Sequence, residues 1–188
     1  MNRGTLILVV GPSGAGKDTL IAGARERLKD DPRFVFPRRV ITRAADARGE
    51  DHIAVDEAAF GRMGREGAFA LSWSAHGFSY GILESIEADL AQGRHVIVNV
   101  SRGIVNEAHG RFAPMEWIYI TVEPGLLRQR LEARNRETAS EIAERFSAAV
   151  VRFDLAGSGH FLANESTVEH GGNEMTKLIR AIALGLPG

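Results

Sequence analysis

The stretch TLILVVGPSGAGKDTL, Thr5 to Leu20, decides the fold. Thr5 to Val10 is an unbroken apolar, β-branched run, the pattern of a strand buried on both faces. From Lys17 to Leu28 the period changes, and Leu20, Ile21, Ala24 and Leu28 fall on one helical face. Between the two, Gly11, Gly16 and Lys17 satisfy G-x-x-x-x-G-K. In a strand–loop–helix arrangement, loop amides and the helix N-terminus surround the phosphates of a nucleotide while the lysine reaches the outer two. Gly11, Pro12, Ser13, Gly14, Ala15, Gly16, Lys17, Asp18 and Thr19 are therefore the candidate phosphate-binding set.

Asp18 departs from the usual loop, which carries Ser or Thr there to ligate Mg²⁺. Two readings are open. The carboxylate ligates the cation, directly or through a water, or it is an acid placed at a helix start to suit the dipole. Next to ATP phosphates a carboxylate is repelled unless a cation lies between them. Thr19 supplies the missing hydroxyl only if the helix start is shifted. Asp18 and Thr19 are the metal candidates.

Working outward, His95 to Val100 and Trp117 to Val122 are further buried-strand patterns, each followed by a helical one. Strands alternating with helices argue for an α/β chain with a mainly parallel sheet covered on both faces. Pro124 suits the first turn of a helix to about Arg134, and Thr138 or Ser140 caps another to about Leu155. A last strand near Phe161 to Ala163 leads to a C-terminal helix from about Asn173. Residues 38–82 differ, with shorter apolar runs and many arginines and glycines. They read as an insertion that carries function, inside a single domain over 1–188 whose core is 1–37 and 83–188.

Composition narrows the function classes. The chain has 188 residues, 44% of them hydrophobic, which suits one buried core. The 23 Lys+Arg and 24 Asp+Glu give a net charge of −1, so no global field draws the chain to nucleic acid or an anionic membrane. Cysteine is absent, which excludes disulfides, thiolate zinc sites and a cysteine nucleophile. The six histidines form no i, i+4 pair with a third ligand, so zinc is not expected. The longest apolar run, Leu6 to Val10, is far short of the roughly 20 residues of a membrane span. A cytoplasmic protein acting on a small molecule, as monomer or homodimer, is the expectation.

Several side chains suit an anionic acceptor. Arg39 and Arg43 carry guanidinium forks that match phosphate oxygens, and Tyr80 adds a phenol donor. Asn99, Ser101 and Arg102 follow a strand at its carboxyl end, where open α/β sheets place ligands. For each, a bland reading stands beside the functional one: a surface charge, a core tyrosine, a helix start.

Beyond the loop, the residues carry a family resemblance. GPSGAGKDTL (Gly11 to Leu20), the Thr42-Arg43 to Gly49-Glu50 segment and FALSWSAHGFSYG (Phe69 to Gly81) resemble guanylate kinases. Arg130-Leu131-x-x-Arg134 followed by Ile142-x-x-Arg145 resembles their lid, so the likeness runs over nearly the whole chain. Asp18, the stretch Gly49 to His52 and Val98-Asn-x-Ser-Arg102 are more similar to the ribose 1,5-bisphosphate phosphokinases of bacterial phosphonate breakdown. Ala44 and Ala45 replace prolines common there.

The resemblance implies a P-loop kinase three-layer fold with a short arginine-bearing lid at about 134–145. It implies ATP and Mg²⁺, and transfer to ribose 1,5-bisphosphate giving 5-phosphoribosyl 1-diphosphate. Lys17, Arg134 and Arg145 are then the catalytic candidates. Arg130 and Arg136 join the nucleotide set, and Asn164 lies near adenine. Glu50 joins Arg39, Arg43, Tyr80, Asn99, Ser101 and Arg102 on the substrate side. Guanylate kinases read guanine with a glutamate where this chain has Leu71 and with acids where it has Asn99 and Ser101. A site built on such hydrogen bonds discriminates through them. Guanylate kinase and a non-catalytic domain that binds phosphorylated ligands are the alternatives.

Overall fold

The computed structural model describes residues 2–44, 51–133 and 154–186. The 5 residues of β1 (Leu6–Val10) are all fully buried, which demands strands on both edges and helices on both faces. Both demands are met. In the central sheet β1 lies between β7 (His95–Asn99) and β8 (Met115–Thr121), with β2 (Phe34–Val35) and β9 (Ser158–Ala163) outside them, in the order β2-β7-β1-β8-β9. Every pairing in it is parallel.

The period-2 alternation of β1 divides the core between two faces. Ile7 and Val9 pack with Leu20, Ala24 and Leu28 of α1 (Lys17–Leu28) and with Met175, Ile179 and Ile182 of α6 (Val168–Ala183). Leu6, Leu8 and Val10 face Ile86 and Leu90 of α3 (Ile86–Ala91) and Val105 and Ala108 of α4 (Val105–Arg111). The result is a three-layer α/β structure with a parallel central sheet.

The C-terminal helix starts earlier than its sequence pattern suggests. It begins at Val168, not near Asn173, with the Thr167 hydroxyl accepting from His170 N–H at 3.2 Å. Gly171 and Gly172 do not break it. A Cβ on Gly171 would lie 2.7 Å from Leu20 Cδ2 and one on Gly172 3.5 Å from Gly23 Cα, so these glycines let α6 approach α1. The helix expected from Thr138 or Ser140 lies outside the described residues.

Residues 40–83 build a second sheet, of order β4-β3-β6-β5, from β3 (Val40–Ile41), β4 (Ile53–Ala54), β5 (Phe69–Ala75) and β6 (Phe78–Leu83). Between β4 and β5 runs α2 (Glu57–Arg65), capped by Asp56 on Ala59 N–H at 2.6 Å. β5 and β6 form a hairpin over His76-Gly77, both at positive φ (52° and 77°), the two-residue turn whose twist matches the strands. That turn sets Trp73 opposite Tyr80. This region also contributes to the core, because Ala70, Leu71 and Ile82 are buried in the α3–α4 layer.

Candidate active site

The loop between β1 and α1 takes a path that only its glycines allow. Gly11, Gly14 and Gly16 have φ of 144°, 87° and 85°, where L side chains are strained. Space is closed as well: a Cβ on Gly11 would meet Ile120 O at 2.6 Å, and one on Gly16 the Asn164 amide at 2.5 Å. Lys17 opens α1, and its ammonium donates to Gly11 O at 2.8 Å and Pro12 O at 2.9 Å across the loop. Ser13, Gly14, Gly16, Lys17, Asp18 and Thr19 line a concavity of about 100 Å³. It sits at the carboxyl end of β1 and the N-terminus of α1, the place for phosphates.

Two elements support the loop from outside. At the end of β9, Asn164 is only 7% exposed and donates from Nδ2 to Ala15 O at 2.7 Å. The sequence resemblance puts this residue near adenine; its observed contact is with the loop backbone. On the other side lies α5 (Pro124–Ala133), whose Leu127 and Leu131 come within 3.1 Å and 2.9 Å of a Cβ built on Gly14. Glu123 starts that helix by accepting the Gly125 and Leu126 N–H groups at 2.9 Å each. These bonds hold its carboxyl below the usual carboxylate range.

Asp18, Asn99 and Arg39 meet, although they come from different parts of the chain. Asn99 Nδ2 donates to Asp18 Oδ1 at 2.6 Å, and Arg39 Nη2 lies 3.8 Å from the same oxygen. Arg39 Nη1 also donates to the Asn99 backbone carbonyl at 3.3 Å. The guanidinium is 11% exposed while the Asp18 side chain is 58% exposed, so the carboxylate keeps an open side toward the loop concavity. Asp18 accepts only, so the Asn99 amide must turn its NH₂ to it and leave its own carbonyl oxygen for another donor.

Arg39 lies over the Tyr80 ring at 5.3 Å, and Tyr80 stacks on Trp73 at 5.4 Å with the planes 6° apart. Arg43 stands just past the end of β3, where the buried His52 places Nε2 3.0 Å from its carbonyl. Among the described residues, Arg43 Nε, Arg94 Nε and Arg130 Nη1 are the buried side-chain nitrogens without a hydrogen-bond partner. Arg94 is paired elsewhere, at 2.6 Å from Asp89. The other two belong to the acceptor and donor sides in the sequence reading, and buried orphan donors of this kind suit an anionic ligand.

Not every candidate joins this cluster. Arg102 donates to the Tyr119 hydroxyl on β8 at 3.2 Å. Ser101 caps the 3₁₀ turn Arg102–Ile104 through its carbonyl, at 3.0 Å from Ile104 N, and its hydroxyl makes no capping bond. Thr19 is exposed on the loop rim. Glu50, Arg134, Arg136 and Arg145 lie outside the described residues. Sequence reasoning missed Trp73 and gave His52 no role; the His76-Gly77 turn signal, with its two-residue register, points to the first of them.

The site suits a nucleotide and a divalent cation. Asp18 offers a hard oxygen donor beside the loop, and no group of three or more His, Cys, Asp or Glu among the described residues forms a metal cage. A carboxylate oxygen fits Mg²⁺, which takes one or two carboxylates with phosphates and water in the rest of its shell, and Asp18 would be the residue to hold it. No helix among the described residues is long and apolar enough to cross a membrane.

The family model for guanylate kinase matches residues 3–182. Ribose 1,5-bisphosphate phosphokinase PhnN of Acidiphilium cryptum is 53% identical over 171 residues, covering 90% of this chain and 88% of that one. The protein of the same name from Thiobacillus denitrificans is 39% identical, covering 95% and 94%. The crystal structure of guanylate kinase from Anaplasma phagocytophilum superposes with a TM-score of 0.70 at 19% identity, over 97% of this chain and 88% of that one, which shows the shared fold. With the fold, the loop and these relatives in agreement, the chain belongs to the guanylate kinase family and, within it, to the ribose 1,5-bisphosphate phosphokinases.

Proposed function

We propose that this protein transfers the γ-phosphoryl group of ATP to the 1-phosphate of ribose 1,5-bisphosphate, releasing ADP and 5-phosphoribosyl 1-diphosphate in the cytoplasm. The observation that carries the reading is the composition of the acceptor side. Arg39, Tyr80, Trp73 and Asn99 gather there, and Leu71, which stands where guanylate kinases place a base-reading glutamate, is 1% exposed in the core. A guanidinium, a phenol and an amide gathered there support recognition of a phosphorylated sugar, and Leu71 offers guanine no carboxylate.

The chemistry needs positioning and charge neutralisation. A phosphate monoester is largely ionised near pH 7, its second pKa being about 6, so no general base is required. An oxygen of the 1-phosphate attacks the γ-phosphorus in line as the bond to the β-phosphate oxygen breaks, and ADP leaves with that electron pair. Lys17 and the loop amides hold the β and γ phosphates. Mg²⁺, when bound beside Asp18, neutralises their charge. Arg39 and Arg43 orient the acceptor's phosphates, and the Asn99 side-chain oxygen Oδ1 is the one left to accept from a sugar hydroxyl. Arg130 contacts the nucleotide, and Arg134, Arg136 and Arg145 are assigned to closure over the transferring group.

ADP release with Mg·ATP, offering ribose 1,5-bisphosphate and GMP in parallel, tests the proposal. Turnover with the sugar bisphosphate alone is expected; turnover with GMP alone would overturn it.

A further inference from the structure

The donor and acceptor sides of the site share one carboxylate oxygen. Asp18 Oδ1 receives the Asn99 amide at 2.6 Å and lies 3.8 Å from Arg39 Nη2, while Arg39 and Asn99 are the groups assigned to the acceptor. A carboxylate in the first turn of α1, beside the nucleotide loop, thus contacts two proposed acceptor-side groups that come from β7 and from the residue before β3. We propose that Asp18 couples the two sites: its charge restrains Arg39 until a divalent cation arrives with the nucleotide. The proposal rests on the function given above and adds to it a rule for when the acceptor binds well.

The direction follows from charge. Before the nucleotide arrives, a phosphate on the acceptor competes with the Asp18 carboxylate for the Arg39 guanidinium and is also repelled by that carboxylate. A cation at the exposed side of Asp18 cancels the negative charge. Arg39 then remains where the Tyr80 ring and the Asn99 backbone carbonyl hold it, but its field turns to the acceptor. Two unit charges about 4 Å apart interact by about 1 kcal/mol even in water, so the restraint corresponds to about fivefold in acceptor affinity or more. Coupling of this kind is reciprocal: a bound acceptor strengthens Mg·nucleotide binding by the same factor.

Asp18→Asn isolates the charge. Asparagine keeps the size of the side chain and an oxygen for the Asn99 amide, at a position already 58% exposed. Calorimetric titration with ribose 1,5-bisphosphate, in the absence and presence of Mg²⁺ and a non-hydrolysable ATP analogue, reads the effect without turnover. Without nucleotide, D18N is expected to bind the sugar bisphosphate about fivefold tighter than the parent protein. With Mg·analogue bound, the two proteins converge. The gain runs largely through Arg39, so adding R39Q to both the parent protein and D18N cuts the difference between them to the direct repulsion alone, while R39K retains more of it.

Equal or weaker acceptor binding by nucleotide-free D18N, or a gain that R39Q leaves undiminished, overturns the proposal. Failure of the sugar bisphosphate to bind any of the proteins refutes the function instead. Inorganic phosphate, titrated with ADP filling the loop in the absence of metal, then reads the same charge effect: a D18N gain diminished in R39Q upholds the coupling, and no gain, or one that R39Q leaves undiminished, overturns it.

Discussion

Asn164→Ala tests how the nucleotide loop keeps its shape. The Asn164 side chain is 7% exposed, gives its NH₂ to Ala15 O at 2.7 Å, and fills the space where a Cβ on Gly16 would stand 2.5 Å away. Its own backbone is fixed, since its N–H donates to Thr121 O at 2.9 Å, continuing the β8–β9 ladder. Truncation leaves a buried carbonyl without a donor, which costs about 1–3 kcal/mol. For a chain of this size about 2–4 °C of melting temperature is lost per kcal/mol, so a loss of about 2 kcal/mol lowers Tm by about 4–8 °C.

Ligand binding separates this role from a contact with the base. If even ~1 kcal/mol of loop ordering must be supplied on binding, affinity falls about fivefold. A loop clamp produces that fall for ATP and for inorganic tripolyphosphate alike, whereas a base contact weakens ATP only. Asn164→Asp is expected to be worse than the alanine variant, because it sets an anionic oxygen against the Ala15 carbonyl. Thermal melts and tripolyphosphate titrations of both variants suffice. An alanine variant that melts with the parent protein and binds tripolyphosphate unchanged would refute the clamp.

Other consequences follow from the same geometry. Gly16→Ala combines a φ of 85° with a Cβ 2.5 Å from the Asn164 amide, and should abolish the rise in Tm that Mg·ATP gives the parent protein. Trp73→Leu removes the ring behind Tyr80, a stack worth about 0.5–1.5 kcal/mol beyond its area. The acceptor KM should therefore rise about threefold or more with the ATP KM unchanged. His95 accepts the Thr5 N–H at Nδ1 (3.2 Å), and burial, then the Arg33 charge, holds its pKa below the ordinary 6.5. The unfolded chain therefore takes up the proton first: stability is full above pH 6.5 and declines as pH falls through the lower folded-state pKa. Chemical denaturation at about pH 8 and about pH 5, on either side of the imidazole range, should show this loss in the parent protein and a smaller one in His95→Gln.

What was legible in the sequence is what is encoded locally. The α1 helix runs from Lys17 to Leu28 as its periodicity predicts, because its buried positions Leu20, Ala24 and Leu28 recur at helical spacing. β1, β7 and β8 announce themselves as apolar runs bounded by glycine, histidine or proline. The two-residue β2 is too short to leave a pattern. Gly171 and Gly172 mislead, since a glycine pair reads as a break, yet here it buries an interhelical contact with Leu20 and Gly23. Such a glycine pair is distinguished from a helix stop only by the partner helix, about which the local window says nothing.

The site divides along the same line. Lys17 and the three glycines lie in one short window whose geometry is nearly determined by its own residues, so donor-side candidates could be named from it. The proposed acceptor side draws on Arg39, Tyr80 and Asn99, and the Asp18–Asn99 bond spans 81 positions of chain. Asp18 illustrates the consequence. In the sequence it allowed two accounts, a metal ligand or a helix-start acid, and both treat it as a local matter. In the fold its oxygen is already engaged by Asn99 and lies 3.8 Å from Arg39, contacts that no local window of the sequence shows. Exchanging a hydroxyl for a carboxylate beside nucleotide phosphates adds a negative charge where charge is least welcome. A guanidinium and an amide donor within reach are the physical terms on which that exchange is stable before any cation binds. Removing either donor should therefore leave the carboxylate at 18 less well accommodated in the cation-free protein.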